Sequence, residues 1–440
     1  MARLPRMIPV CAVVAAMASG ATIGGGTASA HSAAPRVPKL TRLWTYRLIG
    51  PGTAPVVDGS TVVVTAVWAK ELGPHARGDR SFVYAFGAAC APAPAKCPKH
   101  LLWKHGYPVP DKTGVPTGLS PAGAGDGNVY VGWNQVGASQ YDGQEQAFSE
   151  ATGAPVFSTG EGGTSAAVTA GGLVYVTWQL TFSTFLFTGT EALDASTGAP
   201  LFTTTVGFTD EIWPPVLVDV GPTTGPVVAA GNLFVGYGSS LDAFDATGHS
   251  LCGPPELPAP PGEFPSECSA LWSAPTGATI TGTPVVAGGE VYVGASNGEL
   301  YAFPEAGCGA TTCSPDWTAT VGGSITTSVA TNGATVFVGS SDGSLDAFPV
   351  GGCGSSTCAP EWSAPVGGAL SAPAVNGSLV YVGSTSGLLD AFPATGCGHP
   401  TCTAQWQANV RRAVSMVTAA GDGVIFVTDV RHNLDAYRVP

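Results

Sequence analysis

The sequence predicts an all-β fold: an eight-bladed β-propeller of four-stranded antiparallel blades, closed by an N-terminal strand around Trp44. Three observations carry this. VYVGASNGELYAFP (291–304) returns as VFVGSSDGSLDAFP (336–349) and as VYVGSTSGLLDAFP (380–393). Each copy runs into the same tail, GCGATTCSPDW (307–317), GCGSSTCAPEW (352–362) and GCGHPTCTAQW (396–406), so Trp317, Trp362 and Trp406 fall 45 and 44 residues apart. No helical period of useful length interrupts the pattern after residue 30. A short β unit repeated at this period cannot bury both faces alone, so the copies must stack, and radial stacking makes a propeller.

Each copy reads as four strands. Strand A is a small apolar run such as 283–287, and strand B, Val291 to Gly294, is β-branched and aromatic. Strand C, Leu345 to Phe348, alternates apolar and polar, and strand D carries the Trp. Gly-Gly or Asn-Gly separates A from B, while Asn297-Gly298 or Asp342-Gly343 separates B from C. These dipeptides are strong hairpin signals because both central residues of a type I′ turn need positive φ, which is what is expected here.

In chain order, residues 1–30 have the pattern of a secretory signal. Arg3 and Arg6 precede an almost wholly apolar run from Met7 to Ala18, and Ala28-Ser29-Ala30 is an A-x-A cleavage site. The expected product is a secreted, extracellular protein cut after Ala30, with one domain over 31–440. No other stretch has the roughly 18 apolar residues of a membrane-spanning helix. The B–C signature recurs at 62–86, 129–153, 174–195 and 234–245, then in the three clear copies, then at 425–438. That makes eight. The last copy ends at Pro440 without a strand D, and the missing strand lies at the other end, around Trp44. Its return would close the ring and remove an exposed edge. Phe157 and Phe202 take the Trp position in blades 2 and 3.

Ten cysteines remain after the signal and pair by position: Cys90 with Cys97, Cys252 with Cys268, Cys308 with Cys313, Cys353 with Cys358, and Cys397 with Cys402. All five pairs fall at C–D connections. Export implies an oxidising compartment, so local disulfides are expected, each short C-x4-C bridge worth about 2 kcal/mol in the chain-entropy model. The rival reading is metal, invited by His399, but zinc takes four ligands and these pairs sit on separate blades. The chain carries 17 basic and 30 acidic residues, a net charge of −13, which argues against nucleic acid as a partner.

Several repeats follow strand C with Ala-Thr-Gly or Ala-Ser-Thr-Gly: Ala151 to Gly153, Ala195 to Gly198, Ala246 to Gly248, Ala394 to Gly396. With V-Y-V-G, D-G-x-L-x-A-F and the following Trp, this resembles the pyrroloquinoline quinone (PQQ)-like propeller repeat family across essentially the whole mature chain. The resemblance implies eight blades and one of two roles. Members are quinone-dependent dehydrogenases, with a Cys-Cys disulfide ring, a Trp floor and a bound calcium, or non-enzymatic proteins such as the outer-membrane assembly lipoprotein of Gram-negative bacteria. This sequence has no Cys-Cys dipeptide, and no calcium ligand or catalytic Asp matches residue by residue. The expected function is therefore a secreted non-catalytic binding or scaffold protein, with no cofactor, that recognises a protein, wall polymer or glycan. The alternative is a PQQ- and calcium-dependent oxidoreductase.

A binding site is expected where D–A and B–C loops gather. Blades 5 to 7 keep those loops minimal, whereas blades 1 to 3 carry B–C inserts and long D–A connections at 106–124 and 207–225, the second holding Trp213. The residue after V-Y-V-G/T is small in blades 5 to 7 but is Trp133, Trp178 and Tyr237 in blades 2 to 4, with Trp68 nearby in blade 1. These rings could form an arc for a sugar, a quinone or apolar side chains, or could underpin their own loops. Arg411, Arg412, Arg431 and His432 collect at the same face of blade 8, where they could seat an anion. Asp242, Asp346, Asp390 and Asp435 recur at one repeat position and read as structural.

Overall fold

In the computed structural model the chain divides after Arg36 into two units. The residues described are 41–67, 79–88, 100–108, 117–135, 143–159, 165–182, 185–206, 224–253, 266–410, 412–420 and 423–439, all in the second unit. They form eight antiparallel sheets arranged as the blades of a propeller. The proposed signal and the Cys90–Cys97 pair lie outside the described residues.

Blade 6 shows the plan. Strands A (Ala330–Thr331), B (Thr335–Gly339), C (Ser344–Pro349) and D (Trp362–Pro365) pair in order. Strand B is buried on both faces because each sheet is packed between two others. The core is accordingly distributed between blades. Leu241, Ala243 and Trp272 of blade 4, for example, pack on Val291, Val293 and Phe303 of blade 5.

Blade 8 is completed by the other end of the chain. Strand D, Thr41–Arg47, pairs antiparallel with strand C, Asn433–Arg438, with Trp44 opposite Ala436 and Thr45 opposite Asp435. Trp44 and Tyr46 then pack with Phe86 of blade 1 and Phe426 of blade 8, which seals the ring.

The Gly and the aromatic residue of the repeat signature belong to one contact between neighbouring blades. Gly352 has φ of 74°, and a Cβ on it would lie 2.7 Å from the Trp317 ring of the preceding blade. Gly198 on Phe157 and Gly248 on Phe202 repeat this where Phe replaces Trp.

Two turn expectations need correction. The A–B turns of blades 2 to 5 do place both central residues at positive φ, as at Gly288 and Gly289, whereas those of blades 1, 6 and 7 place only the glycine there. The B–C turns do not. At 295–298 the Gly298 amide donates to Ala295 O, and Gly298 has positive φ while Asn297 does not. This is a tight turn followed by one left-handed residue, the three-residue hairpin connection. The blade 3 insert is also not a loop over most of its length. Strands Leu173–Phe182 and Phe185–Asp194 pair continuously, from Leu173 opposite Asp194 to Phe182 opposite Phe185, because its β-branched and aromatic residues suit a strand.

The disulfide loops do more than staple a hairpin. Each reaches back to strand D of the preceding blade. The Ser273 amide donates to Thr311 O and Ser273 O accepts from the Cys313 amide, both at 2.9 Å. Thr318 is held in the same way by Ser356 and Cys358, and Ser363 by Pro400 and Cys402. Disulfides 308–313, 353–358 and 397–402 close these loops, and 252–268 closes the loop whose Glu267 pairs with Thr203 of blade 3. Each bridge thus holds a clasp between blades.

Candidate binding surface

The expected aromatic arc is largely consumed by packing. Tyr237, 3% exposed, lies between blades 3 and 4, where its hydroxyl meets Thr190 Oγ1 at 2.7 Å and Thr204 Oγ1 at 3.1 Å. Burial raises its pKa. Trp178, 6% exposed, sits mid-strand opposite Gly189, where a Cβ would strike its ring. Neither offers a face to a ligand, which corrects their reading as open stacking groups. Both positions lie within paired strands, where Tyr237 fills space between blades 3 and 4 and Trp178 packs over Gly189 of its own blade. Trp133 is half-buried beside Tyr107. Trp68, Trp213 and Arg411 lie outside the described residues.

The basic group of blade 8 forms a built cluster. Asp429, at the end of strand B (Val424–Asp429), organises it. Arg412 Nη1 donates to Asp429 Oδ2 at 2.8 Å, and the Arg431 amide donates to Asp429 Oδ1 at 2.8 Å. The Asn433 side-chain amide donates to both carboxylate oxygens. Burial opposes ionisation of Asp429, but the Arg412 and Asn433 hydrogen bonds outweigh it and hold the carboxyl below its usual range. Arg431 is exposed and His432 half-buried. His432 has φ of 66° in the turn position that Gly298, Gly343 and Gly387 occupy in blades 5 to 7. A non-glycine residue there is strained, and such strain concentrates at functional loops.

Beside this cluster a cavity of about 480 Å³ opens between blades 7 and 8. Arg42 of strand D, Arg412, Asp435 and Tyr437 line its blade 8 side, and Asn409 and Val410 its blade 7 side. The Arg42 side chain is 57% exposed and reaches Asp435 only at 4.0 Å. Asp435 is buried and accepts from the Thr45 hydroxyl. Burial is the main cause of its raised pKa. The carboxylates thus lie inward and the guanidiniums outward.

Sequence reasoning missed the signal that would have found this region. No Lys or Arg occurs between Lys112 and Arg411, a stretch that holds 23 Asp and Glu. Every basic residue after residue 30 falls in 36–112 or 411–438, which is blades 8 and 1 with their connections. Net charge averages this away. The ring has one basic sector and an otherwise uniformly acidic remainder.

Among the described residues no three His, Cys, Asp or Glu side chains gather as a metal ion would require. The paired cysteines hold inter-blade clasps, and Trp178 and Tyr237 are enclosed.

The fold and repeat define the class: an eight-bladed β-propeller of PQQ-like repeats. Residues 264–350 match the family described as outer membrane protein assembly factor BamB. The crystal structure of BamB from Moraxella catarrhalis is similar at TM-score 0.57 and 16% identity, covering 91% of this chain and 98% of that one. The crystal structure of the computationally designed Ika8 protein is similar at TM-score 0.60 and 13% identity, covering 91% and 100%. No curated protein sequence matches the chain. The segment match and the whole-chain likeness support the PQQ-like β-propeller repeat family, and at these identities the structural likeness carries the fold. No helix among the described residues is long and apolar enough to cross a membrane.

Proposed function

We propose that this chain is an exported, non-catalytic propeller that binds a protein partner through the basic sector formed by blades 8 and 1. The observation that carries the reading is the confinement of Lys and Arg to that sector of an acidic chain. Such an asymmetry steers an acidic partner and fixes its orientation on docking. The resemblance to an assembly-factor repeat is consistent with a scaffold, and four disulfides are consistent with an oxidising compartment. The protein works without PQQ or calcium. Hydroxyl-radical footprinting of the exported protein, with and without proteins captured from the producing cell's surface, tests the site. Protection confined to blades 8 and 1, lost in an Arg42→Glu, Arg431→Glu double variant, is the expected result. Protection over blades 4 to 6, or dye reduction on adding quinone and calcium, would overturn it.

A further inference from the structure

Among the described residues five large apolar side chains are exposed, and four of them fall in one row. Leu102, Val156 and Leu201, 52%, 42% and 40% exposed, take the same repeat position in blades 1, 2 and 3, immediately before the strand D aromatic. Each is the extra residue of a β-bulge. The register passes from Phe86–Leu101 to Ala85–Trp103, from Phe148–Pro155 to Ala147–Phe157, and from Leu193–Pro200 to Ala192–Phe202. A bulge leaves its extra residue unpaired and re-aims its side chain. Leu43 of blade 8 has the same place and is half-buried. The fourth exposed residue is Leu251, 59% exposed, immediately before the Cys252–Cys268 loop of blade 4. Its φ of 56° is a left-handed backbone that a leucine rarely adopts. Blades 5 to 7 break the row, with Asp316, Glu361 and Gln405 before their tryptophans. Strand D ends the sheet in blades 1 and 2, and in blade 3 only the blade 4 loop lies beyond it. Such outer strands ordinarily carry polar groups that resist association. Blades 5 to 7 do so and blades 1 to 3 do not.

We propose that this row is the contact face of a homodimer, crossed by the second copy in the opposite direction. The row runs over blades 8, 1, 2, 3 and 4 with Val156 at its middle. A two-fold axis at Val156 sets Leu102 against the partner's Leu201 and Leu43 against the partner's Leu251, so each apolar group meets another. Charge selects this occupant. Arg42, its side chain 57% exposed, stands beside Leu43 at the blade 8 end. Asp245 closes strand C at the blade 4 end. Burial opposes its ionisation, but hydrogen bonds from Thr247 and Ser250 outweigh that and hold the carboxyl below its usual range. An occupant must then be acidic at one end, apolar along its length and basic at the other. The row of a second copy, reversed, has that order of groups. This inference rests on a different observation from the basic-sector reading, since Arg412 and Arg431 lie at the opposite end of the blade 8 strands.

The test is sedimentation velocity of the exported protein over a micromolar concentration series. A reversible monomer–dimer equilibrium is expected. Val156→Asp, which sets two carboxylates together on the axis, is expected to weaken it about tenfold or more. Asp316 fills the same position in blade 5, so the fold accepts that substitution. Arg42→Glu is expected to weaken the dimer about fivefold at low salt. Val430→Asp, at an exposed apolar residue outside the row, is expected to leave it unchanged. Val156→Cys reports the geometry: on mild oxidation it links to its own copy and gives a dimer band on a non-reducing gel, whereas Val430→Cys stays unlinked. A monomer at every concentration would overturn the proposal, and so would equal affinity in wild type, Val156→Asp and Arg42→Glu. A monomer that sediments with phosphatidylglycerol vesicles would assign the row to a lipid surface and overturn it too. None of these outcomes moves the footprint on blades 8 and 1, so the proposed function stands or falls separately.

Discussion

Blade 6 and blade 8 share one strand plan and differ in how they are joined to their neighbours. Blade 6 is continuous in sequence, contains no Lys or Arg, and is clasped on its outer edge by the disulfide loop of blade 7. Blade 8 is assembled from both ends of the chain, and among the described residues it offers no such loop to blade 7. It carries Arg42, Arg47, Arg412, Arg431 and Arg438. Its B–C turn also substitutes His432 for the glycine of its siblings. Repetition supplies a rigid frame in which departures stand out. Here the departures coincide: charge, strain and cavity all fall at the blade assembled from the two ends of the chain.

The largest effect that sharpens this comparison is redox. Reducing the three C-x4-C bridges should cost about 2 kcal/mol each in the chain-entropy model. Hydrogen exchange should show where: the Ser273, Thr318 and Ser363 amides slow in the oxidised protein and fast in the reduced, with Gln407 fast in both. Equal protection of Gln407 and Ser363 in the oxidised protein would erase the distinction between blade 7 and its siblings.

A smaller effect concerns the Asp row on strand C. Asp390 is 1% exposed, and its Oδ1 finds no donor among the described residues, while Gln407 Nε2 donates to Oδ2 at 3.2 Å. Burial pushes its pKa up to about 6, with Gln407 drawing it partly back. A raised carboxyl pKa favours the folded state when protonated. Its stabilisation is full below the unfolded value of 3.8 and lost as pH rises through about 6. Asp390→Asn should therefore stabilise the protein at pH 8 by up to about 3 kcal/mol and have little effect at pH 3. Melting curves at the two pH values read this directly, and a gain of equal size at both would rule out the charged carboxyl as its cause.

The smallest is His432→Gly. Relief of the left-handed backbone, offset by greater freedom in the unfolded chain, should raise stability by about 0.5 kcal/mol. The corresponding change at Thr428, which lies in strand B, should destabilise. A neutral His432→Gly would remove strain from the list of features that set blade 8 apart.

Much of the molecule was legible in the sequence, because a repeat lets each copy interpret the others. The orphan Trp44 strand is the clearest case. It has the composition of a strand D with no blade of its own, and a terminal copy at 425–438 lacks one. The local disulfide pairs followed from position in the same way. The candidate site was only half legible. The proximity of Arg412, Arg431 and His432 is legible because they sit on two loops of one blade. Arg42 and Tyr437 were missed because they lie on strands, where side chains are expected to pack, and the cavity exists only once blade 7 is set beside them. Whether Tyr237 stacks on a ligand or packs is not legible in the sequence, because nothing local says that Thr190 and Thr204 of another blade enclose its hydroxyl.

What the sequence determined by itself was everything that follows from period and local propensity: strand order, blade number, the closing strand, and the pairing of near cysteines. These depend on turns and alternation within about 45 residues, and each is stated several times over. What only the tertiary structure decided was every relation between blades. The return of each disulfide loop to the preceding strand D, the seating of Gly352 on Trp317 and the burial of Tyr237 all join residues of different repeats. Such contacts depend on the angle and spacing at which one sheet meets the next, and a residue's own repeat does not encode them.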